Sequence, residues 1–386
     1  MESICVRSPG RINVIGEHVD YIETFSVASA IDLYNDIILI KTAGDSISLY
    51  SDRFGLSPDI PYRSIYSKKG GIIDFQKFWY GYFISIFKVL KEDGITIDCG
   101  LEVKIVSNLP DGAGLSSSAS IELGFLYGLN ELFNLKLSDL KMTQIAKLAE
   151  NKYMNSPCGI LDQYTIMFGR KNSLLFLDYS SLRHRYIKIP GDLQFYIIDS
   201  KIKHSIAQTP GGKENGYVKR IEQKNRLEQL LKQRYKLTLR AAVMNCINSD
   251  FTIDLQKYDI DDPTLMKRFR HFTSETARVL MFVSYLEQGD INEAFALLFE
   301  SFKSLSVDYE VSIPEIDKIV DKFSALPQVI GCRMIGGGFG GSILIVSPAS
   351  TGDFDLFNSY LDKLNSTMGL SAILYSLKTA DGVHLI

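Results

Sequence analysis

A glycine-bearing loop held between a strand and a helix constrains this chain more than any other segment. Leu101 to Val106 alternates with the period of two that marks a half-buried strand. Asn108-Leu109-Pro110-Asp111-Gly112-Ala113-Gly114 follows as a loop, and from Ser117 to Leu132 the residues Ile121, Phe125, Leu129 and Leu132 recur at helical spacing. Two glycines let backbone N–H groups approach a ligand closely, and the helix behind them offers the positive end of its dipole. Phosphate is the natural guest of such a turn. Ser116, Ser117 and Ser118 add hydroxyls that can bond phosphate oxygens or reach a hydrated Mg2+. The chain has no G-x-x-x-x-G-K-[ST], so its phosphate binding departs from the P-loop pattern.

A second glycine run, Gly336-Gly337-Gly338-Phe339-Gly340-Gly341, formally fits G-x-G-x-x-G. It leads into Ser342-Ile343-Leu344-Ile345-Val346, an apolar strand, whereas a dinucleotide fingerprint must open a helix. The dinucleotide reading therefore fails, and Val329 to Val346 reads as strand, loop, strand. Elsewhere a helix is expected from about Ser138, a plausible N-cap, through Ile145 and Leu148 to Glu150 and beyond. Strands are expected at 172–179 and 195–199, an exposed loop at 208–216, and helical segments at 262–305 and 316–323. Helices mixed with non-sequential strands point to an α+β fold. The 386 residues make room for about two domains, placed at 1–190 and 191–386. Trp79 and Tyr82 read either as core aromatics or as nucleotide-pocket residues, with core favoured.

The densest chemistry lies near the start, in Ser8-Pro9-Gly10-Arg11-Ile12-Asn13-Val14-Ile15-Gly16-Glu17-His18-Val19-Asp20-Tyr21. Ile12, Val14 and Ile15 are strand formers, while Arg11, Glu17, His18 and Asp20 set donors and acceptors at the two ends of that strand, as a polyhydroxylated ligand requires. A formal net charge of -3 provides no basic field for a nucleic-acid backbone. The apolar stretch around Phe78 to Leu90 is interrupted by Lys88 and is too short to span a bilayer. Met1 to Cys5 lacks the features of a secretory signal, so a cytoplasmic protein is expected. Cysteines at 5, 99, 158, 246 and 332 show no C-x-x-C spacing and read as reduced thiols rather than a zinc site. Histidines at 18, 184, 204, 271 and 384 are likewise scattered.

Together these stretches resemble the galactokinase branch of the GHMP small-molecule kinases. Glu17-His18-Val19-Asp20-Tyr21 matches its signature, Leu109 to Ser120 its second motif, and Gly331-Cys332-Arg333-Met334-Ile335 with the glycines its third. Cys158-Gly159-Ile160-Leu161-Asp162-Gln163 is similar to its catalytic segment, with Glu150 twelve residues upstream of Asp162. The likeness extends to Trp79-x-x-Tyr82, to His271-x-x-x-Glu275-x-x-Arg278 and to Asp308-Tyr309-Glu310.

The resemblance implies the two-domain GHMP kinase fold with its site in the inter-domain cleft, and ATP-dependent phosphorylation of the C1 hydroxyl of galactose. It implies Asp162 as the base, with Arg11 pairing it and steadying the transferred phosphoryl group. Ser118 and Glu150 would hold Mg2+. Glu17, His18, Asp20, Gly159 and Tyr217 would contact the sugar. Pro110, Gly112, Ala113, Gly114, Leu115, Ser116, Ser117 and Ser118 would cradle ATP. The implied partners are thus a small-molecule sugar and ATP.

The chain departs from the pattern at Ile22-Glu23-Thr24, where family members carry Asn-Gly-Gly, and at Asn155, where glycine is common. An apparent insertion also falls between His204 and Tyr217. The altered turn puts an acidic group near the expected pocket and leaves a sister sugar (N-acetylgalactosamine, galacturonate or L-arabinose) as the alternative substrate. A non-catalytic sugar sensor is a further alternative, disfavoured because the serine run, Arg11, Glu150 and Asp162 are all present.

Overall fold

The computed structural model describes residues 2–67, 75–156, 158–189, 193–203, 216–350 and 352–386. The expected exposed loop at 208–216, His204 and the expected boundary at 190 fall wholly or almost wholly outside them. The first half runs β1 (Ser3–Ile15), β2 (Phe25–Thr42), β3 (Ser46–Ser51), β4 (Gly55–Leu56), β5 (Ile60–Pro61), α1 (Tyr62–Tyr66) and α2 (Gly81–Glu92). It continues through β6 (Gly100–Ser107), α3 (Ser117–Phe133), α4 (Asp139–Tyr153), α5 (Leu161–Phe168), β7 (Ser173–Asp178) and β8 (Arg183–Lys188). The second half begins with β9 (Leu193–Lys203), α6 (Gly216–Tyr235), α7 (Leu239–Asn245), α8 (Pro263–Gln288), α9 (Ile291–Val307) and α10 (Pro314–Ser324). It closes with β10 (Gly331–Ile335), β11 (Gly340–Pro348), α11 (Asp353–Met368), β12 (Ile373–Leu377) and β13 (His384–Leu385).

Two sheets result. The larger has the path β13-β1-β2-β6-β3-β4, with β5 joined to β3, and β7 with β8 joined to β2. The smaller is antiparallel, in the order β10-β11-β9-β12. After β12 the chain crosses back: Lys378 and Ala380 bond to Asp32 and Ala30, and β13 pairs antiparallel with β1.

Local chemistry accounts for the pieces that position the site. The pairing of β1 with β2 shifts register between Pro9 and Gly10, which accommodates a proline inside a strand. At Gly10 a Cβ would lie 2.5 Å from Leu109 Cδ2 and 2.9 Å from the Leu115 carbonyl, so the glycine lets the 108–116 loop press against β1. Phe125 of α3 meets Phe83 and Phe87 of α2 edge-on, in one buried cluster with Leu123, Leu126 and Leu129. Ser138 caps α4 by accepting from the Lys141 amide, and Asp262 caps α8 by accepting from Thr264 and Leu265. Gly289, at φ 86°, ends α8, so the helical stretch 262–305 is two helices rather than one.

The halves share apolar surface. Ile12, Val14 and Ile15 of β1 pack in one cluster with Phe195 and Ile197 of β9, Phe282 of α8, and Leu344 of β11. Burying such side chains stabilises each by about 1.5–3 kcal/mol relative to exposure, which ties β1 to the smaller sheet. Among the described residues no helix is long and apolar enough to cross a membrane.

Candidate active site

Arg11 leaves β1 where the 108–116 loop crosses it, its own amide bonded to the Leu115 carbonyl at 3.1 Å. The guanidinium then forks onto Asp162 through Nε–Oδ1 and Nη2–Oδ2, both at 2.7 Å, while Nη1 donates to the Gly114 carbonyl at 2.6 Å. Such a bidentate pair fixes direction as well as charge. Asp162 sits in the first turn of α5, a favourable end for a carboxylate, and also accepts from the Ser116 hydroxyl. Arg11 and Asp162 therefore tie β1, the glycine loop and α5 to one point.

Two cavities meet at that point. The first, about 600 Å³, is lined by Pro110, Gly112, Ala113, Gly114, Leu115, Ser116, Ser117 and Ser118, so every residue expected to cradle ATP is there. The loop reaches this shape through left-handed backbone at Gly112 (φ 70°), Gly114 (φ 65°) and Ser116 (φ 62°). It delivers the amides that open α3 toward the cavity. Trp79 and Tyr82, for which the sequence leaves core and nucleotide pocket both open, line this cavity, and Trp79 packs against the core as well. Trp79 stacks on Phe54 at 6.0 Å and also meets Phe83 edge-on, so one ring serves the core and the cavity wall. Ser116 lines the cavity as expected, while its hydroxyl is turned to Asp162, which leaves its backbone amide for the loop.

Ser118 donates to Glu150 Oε1 at 3.0 Å, and Gln163 Nε2 donates to Oε2 at 2.7 Å. Burial raises the Glu150 carboxyl, with the Asp162 charge adding to it and these hydrogen bonds opposing. No group of three or more His, Cys, Asp or Glu among the described residues could cage a metal alone. One carboxylate beside one hydroxyl fits Mg2+ all the same, because that ion takes hard oxygens and draws most of its shell from phosphates and water. One turn beyond Ser118, Glu122 is fully buried with no hydrogen-bond partner at either oxygen among the described residues. Burial pushes its carboxyl well above the usual range, and the neighbouring Glu150 adds to the shift.

The second cavity, about 440 Å³, is lined by Glu17, His18, Asp20, Gly159 and Tyr217 together with Arg11 and Asp162. All five expected sugar contacts are thus gathered from the turn after β1, α6 and the segment before α5. Gly16 (φ 96°) and His18 (φ 60°) make the tight turn that aims them. Asp20 opens a short 3-10 turn over Asp20–Ile22, and burial lifts its carboxyl to about 6, aided by the charges of Asp162 and Glu17. Gly159 lies so close that a Cβ there would fall 1.5 Å from Asp20 Oδ2. Burial, then His271, Arg333 and Arg220, hold His18 down at about 3, so its imidazole is neutral. Its Nε2 has no protein partner among the described residues. Tyr217 stands 6.1 Å from the His18 ring, centroid to centroid.

Glu17 is more constrained than a plain sugar ligand. Its Oε2 accepts from Arg333 at 2.5 Å, its amide and that of Gly16 donate to Glu275 Oε1, and its carbonyl accepts from His271 Nε2. These three partners come from α8 and β10. Their sequence signal was present only as part of the family resemblance, with no role attached. Glu23 of the altered turn lines a neighbouring cavity rather than the sugar cavity. At φ 61° it takes the left-handed backbone that glycine favours, and Asn155 does the same at φ 52°. Arg240 donates to the Glu23 carbonyl, pairs with Asp178 at 3.3 Å and lies over the Phe25 ring, which pins that turn.

Comparison with known proteins identifies the family. Residues 1–38 match the galactokinase galactose-binding signature, 81–170 the GHMP kinases N terminal domain and 282–356 the GHMP kinases C terminal domain. The galactokinase of Pyrococcus furiosus is 35% identical over 388 residues, and that of Thermosipho africanus 31% over 383, each alignment covering 99% of both chains. The crystal structure of Lactococcus lactis galactokinase complexed with galactose superposes with a TM-score of 0.86 at 27% identity, covering 100% of this chain and 95% of that one. With three family models and full-length relatives in agreement, the chain belongs to the galactokinase family of GHMP kinases.

Proposed function

We propose that this protein transfers the γ-phosphoryl group of ATP to the C1 hydroxyl of galactose, giving galactose 1-phosphate and ADP. The observation that carries the reading is the position of Asp162, clamped by Arg11 where the glycine-loop cavity and the sugar cavity meet. In this reading Asp162 accepts the C1 hydroxyl proton as the sugar oxygen bonds to the γ-phosphorus and the bond to the β-phosphate oxygen breaks. Arg11 spreads positive charge toward the three phosphoryl oxygens while keeping the carboxylate aimed. Loop amides from Gly112 to Ser116 and the N-terminus of α3 hold the phosphates. Ser118 and Glu150 would hold Mg2+, which supplies charge neutralisation of the phosphates when bound.

Glu17, His18 and Asp20 would accept or donate hydrogen bonds to the sugar hydroxyls, and Tyr217 with Gly159 would shape the wall. Galactose is favoured over galacturonate by charge. Among the described residues lining the sugar cavity the one cation is Arg11, which is committed to Asp162. A uronate carboxylate would find no uncommitted cation among them. The five cysteines, all unpaired, and the use of ATP support a cytoplasmic setting. We place the division between the halves near residue 190, between the strands of the two sheets.

The test is ATP-to-ADP turnover with Mg2+ against galactose, glucose, N-acetylgalactosamine, galacturonate and L-arabinose. The reading expects galactose to be turned over fastest. Faster turnover of any other sugar on the panel would overturn the substrate assignment, and no turnover on any of them would overturn the reaction.

A further inference from the structure

Glu17 lines the sugar cavity but is held from the other half of the molecule. Arg333 lies on β10, three residues before Gly336, and its side chain is fully buried. Its Nη2 donates to Glu17 Oε2 at 2.5 Å and to the Asn13 carbonyl at 2.8 Å, while Nη1 donates to Ser301 Oγ at 3.2 Å. Glu275 Oε1 stands 3.9 Å from Nη1 and takes the amides of Gly16 and Glu17. Two buried carboxylates thus face two buried guanidiniums, Arg333 and Arg278, around one turn.

We propose that Arg333 is a positioning residue for sugar recognition, acting through Glu17. Resting on the galactokinase reading, this assigns selection of one sugar hydroxyl to a pair that spans the two halves. Three physical facts support it. A carboxylate has about four lone-pair sites, so Arg333 leaves Glu17 capacity to accept from a substrate hydroxyl. Burial raises the Glu17 carboxyl, and the Arg333 and Arg11 charges oppose that rise, so removing Arg333 would weaken Glu17 as an acceptor. Only a planar fork reaches the carboxylate, the Asn13 carbonyl and Ser301 together, which a lysine ammonium on a flexible stem does not reproduce. The same strand feeds Gly336 and Gly337, which line both cavities, so the clamp also ties the sugar turn to the glycine floor.

The experiment measures KM and kcat for galactose and for 2-, 3-, 4- and 6-deoxygalactose in the wild type, Arg333→Lys and Glu17→Gln, with KM for ATP and thermal melting as controls. Wild-type turnover on galactose comes first, and its absence overturns the galactokinase reading and this inference with it. Given that turnover, Arg333→Lys should raise the galactose KM on the order of tenfold or more with the ATP KM within about twofold. That penalty should disappear for one deoxygalactose, the same one for which the Glu17→Gln penalty disappears. A penalty spread evenly over all four analogues, or one seen in kcat or the ATP KM alone, overturns the inference and leaves the galactokinase reading intact. If Arg333→Lys melts too low to assay, the charge-balanced pair Arg333→Met with Glu17→Gln replaces it. That double variant must reproduce the analogue pattern of Glu17→Gln alone, and any other pattern overturns the inference.

Discussion

Replacing Gly159 by alanine should cripple sugar binding through a collision whose size can be read from the coordinates. The added Cβ would stand 1.5 Å from Asp20 Oδ2, 2.3 Å from Cγ and 3.0 Å from Cβ. To reach ordinary van der Waals separation the carboxylate oxygen must withdraw by roughly 2 Å. Gly159 has no left-handed φ, so alanine meets no backbone penalty and the cost is the collision alone. A displacement of that size breaks any hydrogen bond from a sugar hydroxyl to Asp20, and a bond to a charged acceptor contributes about 1.5–3 kcal/mol. The galactose KM should therefore rise about 10- to 150-fold, with the ATP KM nearly unchanged. Steady-state kinetics on Gly159→Ala, Asp20→Ala and the double variant form the assay. With Asp20 already truncated, the new methyl has little left to displace, so the double variant should resemble Asp20→Ala, a coupling of 1 kcal/mol or more in scale. Fully additive penalties, or a Gly159→Ala enzyme with wild-type galactose KM, would refute the reasoning.

Other outcomes follow from the same site. Asp162→Asn should fold and melt near the wild type yet lose roughly 10²-fold or more in turnover, the scale of a positioned acid–base group; undiminished turnover removes Asp162 from the chemistry. Glu150→Gln should raise the Mg2+ concentration needed for half-maximal turnover, and an unchanged Mg2+ titration would take Glu150 out of the metal shell. Because burial lifts Asp20 to about 6, lowering the pH through 6 neutralises it, so kcat/KM for galactose should fall on the acid side near that value. Asp20→Asn should lack that limb, and its persistence would assign the titration elsewhere. Glu122 binds its proton more tightly folded than unfolded, so it makes stability fall as pH rises from 4.5 toward its raised folded value. Glu122→Gln removes that fall, and its advantage in unfolding free energy should grow by about 1.4 kcal/mol per pH unit in the window; a pH-independent difference would show that Glu122 is not held protonated.

The parts of this molecule that were legible in the sequence are those whose cause is local. The loop after Val106, the serine-led helix α3 and the Ser138 cap follow from glycines, hydroxyls and period, and they stand where those signals put them. The glycine run at 336–341 led into a strand, as its apolar sequel required. What could not be read is pairing across distance. Arg333 and Glu17 lie 316 residues apart, and no spacing rule joins them. Nor does propensity reveal that Glu23 and Asn155 adopt left-handed backbone, because tertiary contacts such as the Arg240 bond to the Glu23 carbonyl decide it. Trp79 could not be decided between core and pocket for a related reason: its ring packs on Phe83 like a core residue and also lines the cavity.

The return of the chain end to β1 has a consequence for synthesis on the ribosome. β1 is made before the other strands, but His384 and Leu385, which pair with Arg7 and Val6, are made nearly 380 residues after those partners. At about 5–20 residues per second that interval is roughly 20–75 s. Throughout it the outer rim of the larger sheet offers unpaired N–H and C=O groups near Val6, a template for strand addition by another nascent chain. Arg7, whose guanidinium lies over Tyr34 and pairs with Asp36, keeps a charge on that rim while it waits. Translation speed between β1 and β13 thus sets how long the half-built sheet stays exposed to aggregation.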